Sequence, residues 1–86
     1  MDVNDILDDL CEILTRKDSL YGTSFSKTFE EYGLTSLVIR LTDKLNRLKT
    51  LHNLDIDPDD EGIIDTLIDI AGYSVLGLKE VYNGNR

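Results

Sequence analysis

Apolar residues return every three or four positions along most of the chain, with no alternating run of the kind a half-buried strand shows. The longest such stretch is Glu61 to Tyr82. At about 100° per residue, Ile63, Ile64, Leu67, Ala71, Val75, Leu78 and Tyr82 share one broad side, while Glu61, Asp65 and Asp69 line the other at i, i+4, i+8. Val3, Ile6, Leu7, Leu10, Ile13 and Leu14 repeat the pattern near the start, backed by Asp5, Asp8, Asp9 and Glu12. Leu34, Leu37, Val38, Leu41, Leu45 and Leu48 repeat it in the middle. These stripes predict main helices over residues 3 to 16, 35 to 51 and 58 to 82.

The punctuation between the stripes gives the expected boundaries. Asp2 or Asn4 caps the first helix, and Arg16 and Lys17 close it on the side that suits the helix dipole. Lys17 to Phe29 is rich in hydroxyl residues and holds Gly22, so it reads as a loop entering a short helix over 24 to 32, started by Ser24 or Ser26, with Phe25, Phe29 and Tyr32 as its apolar contacts and Gly33 as its stop. Asp57-Pro58-Asp59-Asp60 reads as a helix start, with Asp57 as N-cap and Pro58 at the first position. Gly72 and Gly77 each cost a helix about 1 kcal/mol relative to Ala, which suits a place where another helix comes close. The apolar side of the last helix is roughly 160° wide, more than one neighbouring helix covers, so part of it is expected to meet a second subunit.

Length and charge narrow the classes. With 86 residues, 41% hydrophobic and 30% charged, the chain reads as one helical domain, residues 1–86, of a size that often needs self-association for stability. A net charge of −8 argues against direct binding to nucleic acid or an anionic membrane. No apolar run approaches the roughly 20 residues that span a bilayer, and Met1 is followed by acidic, helix-like sequence rather than a basic and apolar leader. Cys11 has no partner for an internal disulfide, sits at the edge of an apolar stripe and reads as a buried thiol; a reducing, cytoplasmic setting is expected, the host cytoplasm if the protein is phage-encoded. His52 stands without a second His, so exposure at a helix end explains it better than metal ligation.

Three acids on one strip repel at i, i+4 by a few tenths of a kcal/mol per pair and ask for a cation, either a metal ion or a basic neighbour. Asp43 has Arg40 and Arg47 at helical spacing and Lys44 beside it, enough for local ion pairs, although Ile39 on the same side suggests that this face meets something. Lys17, Tyr21, Ser24 and Lys27 near Gly22 offer charge, a ring and hydroxyls, a bed for a base or phosphate as well as an ordinary loop.

Taken in series, Lys17 with Tyr21-Gly22, then Arg40-Leu-Thr-Asp43-Lys44-Leu-Asn-Arg47-Leu, then Asp65-Thr-Leu-Ile-Asp69-Ile-Ala-Gly-Tyr73 resemble the nucleotide-modification-associated domain, a group similar to the MazG-like all-α nucleoside triphosphate pyrophosphohydrolases. The resemblance spans roughly residues 10 to 80. It implies an all-α bundle completed by homodimers or homotetramers, and Mg²⁺-dependent hydrolysis of a nucleotide phosphoanhydride. On it, Asp43, Asp65 and Asp69 hold the metal, Glu61 assists as catalytic ligand or water-orienting base, and Lys17, Tyr21, Gly22, Arg40, Lys44 and Arg47 lie beside the nucleotide. Two positions depart from the MazG-like pattern: Arg40 stands three before Asp43, and Gly62 three before Asp65, where glutamates are expected. A nucleotide-binding or sequestering protein without turnover therefore stands as the alternative, followed by an acidic helical inhibitor of another protein.

Overall fold

The computed structural model describes residues 1–21 and 24–84, the side chains of 18–21 excepted, and among these residues it has four α-helices and no strand. They are α1 (Val3–Tyr21), α2 (Ser24–Tyr32), α3 (Leu34–Asn53) and α4 (Glu61–Tyr82). The all-helical class and all four elements expected from periodicity are present. α3 runs one residue earlier and two later than expected, and two other boundaries differ by more. α1 continues past Arg16 through the segment expected to be loop, because Lys17-Asp-Ser-Leu-Tyr holds weak helix formers but no breaker. α4 starts at Glu61, with Asp60 as its N-cap, whose carboxylate accepts the Gly62 N–H at 2.8 Å. Asp57 and Pro58 belong instead to a turn closed by the Asp60 N–H donating to the Asp57 carbonyl at 2.9 Å; Asp first and Pro second suit a type I turn as well as a helix start.

At the amino end of α1, Asp2 and Asp5 each accept the other's backbone N–H, a reciprocal cap. Gly33 separates α2 from α3 within one residue. Its φ of 64° is left-handed, which glycine adopts without strain, and its N–H reaches the Phe29 carbonyl at 2.7 Å. The Ser36 hydroxyl then donates to the Gly33 carbonyl, so α3 begins at once, at Leu34.

α3 and α4 form an antiparallel pair that carries most of the packing, with α2 against both and α1 against α4. The face that α4 turns inward is not its broad apolar side. Thr66, Gly72, Gly77 and Glu80 are buried, whereas Ile64, Leu67, Val75, Leu78 and Tyr82 are exposed. Close approach explains the choice. A Cβ at Gly77 would stand 2.5 Å from Leu37 Cδ2, and one at Gly72 3.2 Å from Leu14 Cδ2, so the glycines are where neighbouring side chains seat against α4. Phe29 of α2, at 0% exposure, is the buried hydrophobic centre among the described residues. The amino half of α1 packs little: Val3, Ile6 and Leu7 are exposed, and Cys11, expected to be buried, is exposed with them.

Candidate functional site

Where the four helices meet, a cleft of about 390 Å³ opens between α1, α2, α3 and α4. Its size lies within the range of small-molecule sites. Phe25 of α2 and Tyr73 of α4 lie with ring centroids 6.0 Å apart and planes tilted by 35°; they touch, and so make one aromatic wall rather than a clamp. Phe25 is backed by Phe29 at 6.0 Å, which fixes that wall to the core. The Arg40 guanidinium lies 5.7 Å from the Tyr73 ring centroid, a cation–π arrangement. Local spacing pairs Arg40 with Asp43; its planar cation is instead over a ring, where weak hydration favours it.

Lys17 of α1 and Lys44 of α3 converge on Asp69 of α4, Nζ to carboxylate at 3.4 Å and 3.0 Å, one lysine on each oxygen. Among the described residues, basic neighbours thus flank the third acid of the strip. The buried Glu80 accepts a hydrogen bond from the Ser26 hydroxyl at the far side of the cleft. The charged groups lining the cleft are Lys17, Arg40 and Lys79 against Asp69 and Glu80, a local excess of one positive charge in a chain of net −8.

The remaining expected site residues do not gather there. Glu61 and Asp65 are exposed, Glu61 at the first position of α4. Arg47 is exposed on α3. Asp43 lines a second cleft, of about 400 Å³, with Tyr32, Ile39 and Arg40 between α2 and α3. Gly22 and the Tyr21 side chain lie outside the described residues. Among the described residues no three His, Cys, Asp or Glu side chains come together where they would hold a metal ion. With Asp69 occupied by two ammonium groups as well, the carboxylates as arranged in one chain do not fit a magnesium centre.

Phe25, Tyr73, Ser26, Lys79 and Glu80 were not among the expected site residues. Asp69, Tyr73 and Glu80 recur at i, i+4, i+11 and share a helix face, but the opposite side of α4 is more apolar and masks that signal.

No match was found among curated proteins or among solved structures. The family described as nucleotide modification associated domain 1 matches residues 17–81, from Lys17 in the cleft to the last turn of α4. That span takes in α2, α3 and every cleft residue named above, and the chain belongs to the nucleotide modification associated domain 1 family.

Proposed function

We propose that the cleft binds a nucleotide. The observation that carries this reading is an aromatic wall with three cations in an otherwise acidic chain. A nucleotide presents a flat base and an anionic tail. Tyr73 and Phe25 supply surface for the base, Arg40 and Lys79 supply charge for phosphate, and Lys17 does so when it leaves Asp69. Ser24 and Ser26 add hydroxyl donors, and Glu80 an acceptor for sugar or base donors. Family membership supports the ligand class.

The hydrolytic reading rests on the further similarity to MazG-like enzymes, with Asp43, Asp65 and Asp69 as Mg²⁺ ligands and Glu61 assisting. It requires Asp69 to be released from Lys17 and Lys44 and the acids to be brought together, in one subunit or across a homo-oligomer. Binding without turnover needs at most Lys17 to leave Asp69 and lets the acids stay apart, and it is the reading the geometry favours. Titration calorimetry with a panel of nucleoside mono-, di- and triphosphates, in EDTA and in Mg²⁺, tests it. Saturable binding in EDTA, weakened at least tenfold by Tyr73→Ala or Arg40→Ala, is expected; no binding of any nucleotide at millimolar concentration overturns it. Pyrophosphate release on addition of Mg²⁺ would establish the hydrolytic reading instead.

A further inference from the structure

Glutamate is almost never buried without a partner, yet Glu80 is 3% exposed and lines the cleft that holds the aromatic wall. Its carboxylate accepts the Ser26 hydroxyl, which ties it to α2 and fixes its place. Asp69, Tyr73 and Glu80 share one face of α4, so the rise of the helix sets their order along the cleft. Asp69 lies about 6 Å from the level of Tyr73 on one side, and Glu80 about 10 Å from it on the other. Helical side chains lean toward the amino end, which carries the Glu80 carboxylate back toward the ring.

Charge gives a nucleotide its direction in this frame. Among the described residues, Lys17 and Lys44 stand against Asp69 at one end, two cations to one anion, whereas Lys79 stands beside Glu80 at the other, one to one. Phosphates therefore belong at the Asp69 end and the base on Phe25 and Tyr73, with the sugar between them. Glu80 and Lys79 are left facing the edge of the base remote from the sugar.

We infer, resting on the nucleotide reading of the cleft, that Glu80 makes the site selective for guanine, its carboxylate accepting N1–H and the N2 amino group while the Lys79 ammonium donates to O6. Guanine is the common base whose outer edge carries two adjacent donors, and it gives a carboxylate a bidentate, charge-assisted pair. Adenine and cytosine set one amino group beside a ring nitrogen acceptor, which a carboxylate repels. Uracil and thymine set one N–H between two carbonyl oxygens. A carboxylate accepts at about four positions, room for two base donors beside the Ser26 hydroxyl. The distance from Tyr73 to Glu80 also suits the longer purine.

Titration calorimetry in EDTA with the 5′-monophosphates of guanosine, inosine, adenosine, cytidine and uridine tests the assignment on the unmodified protein. The inosine compound differs from the guanosine compound only in lacking the N2 amino group. It should bind about tenfold more weakly or worse, as should the other three, because each leaves a buried acceptor without its donor. The 2′,3′-dideoxyguanosine compound lacks the sugar hydroxyls, the other donor pair a carboxylate could hold, and should bind as guanosine monophosphate does. Glu80→Gln keeps an acceptor for Ser26 and should lower guanosine monophosphate binding about tenfold while leaving adenosine monophosphate unchanged; a purely structural Glu80 would weaken every base alike. The inosine comparison depends on no variant folding. Equal binding of the guanosine and inosine compounds, loss of binding with the dideoxy sugar, or a uniform loss across bases in Glu80→Gln each overturns the guanine assignment and leaves the nucleotide reading standing. Binding of no nucleotide overturns both.

Discussion

Asp69 carries a lysine on each carboxylate oxygen, yet its side chain and those of Lys17 and Lys44 all keep contact with water, so these pairs contribute about 0–1 kcal/mol to stability. Asp69→Asn should therefore lower the melting temperature only slightly. Asp65→Asn should leave it unchanged or raise it, because Asp65 stands i+4 from Glu61 and i−4 from Asp69 and repels both. The functional outcome separates the two readings of the acid more sharply. If Asp69 holds Lys17 and Lys44 in reserve, its replacement frees two ammonium groups, and nucleotide binding in EDTA should tighten. If Asp69 is a metal ligand, Mg²⁺-dependent binding should be lost and binding in EDTA unaffected; calorimetry in both buffers reads the difference. At this scale the sequence showed that the acid strip needs a cation and named both kinds. Which one stands there depends on α1 reaching back to α4, a long-range contact that local spacing does not carry. The Arg40–Tyr73 stacking was hidden for the same reason, since its partners lie on different helices.

Among the elements, α4 tests how far a hydrophobic pattern determines a fold. Periodicity located the helix but not its inward face: counting apolar residues favours the side of Ile64, Leu67 and Val75, whereas packing favours the side where Gly72 and Gly77 admit leucines. Backbone approach is decided by the absence of a side chain, to which a count of apolar residues is blind. Gly77→Ala should be close to neutral, as helix propensity gains about 1 kcal/mol while the end of Leu37 is displaced. Gly77→Val should cost about 1–3 kcal/mol, because a branched side chain takes the space Leu37 fills; urea denaturation would measure both. The start of α4 gives a paired test. Asp60→Ala should cost about 1 kcal/mol through loss of the cap on Gly62, and Asp57→Ala less, since its side chain does not cap this helix. Equal losses would return the cap to Asp57. The sequence held both candidates because Asp and Pro suit a turn and a helix start alike.

For the whole molecule, shape and charge pull in different directions. A radius of gyration of 14.0 Å exceeds the roughly 12 Å of a compact chain of this length, consistent with helices that leave apolar faces open for a partner. A net charge of −8 on each copy opposes that partnership, since two like-charged molecules must approach to contact. Repulsion summed over the whole of both chains should therefore dominate the salt dependence. Raising ionic strength from about 0.01 M, where charges interact over about 30 Å, to about 0.15 M, where they interact over about 8 Å, screens the long-range repulsion and leaves the exposed apolar face of α4 unaffected. Association should tighten over that interval, and the melting temperature should rise with it, because a dimer that binds only the folded chain stabilises it by mass action. Sedimentation at the two ionic strengths, at one protein concentration, measures the sign. Weakening with salt would show that charge pairs, and not the exposed apolar face of α4, hold any associated copies together.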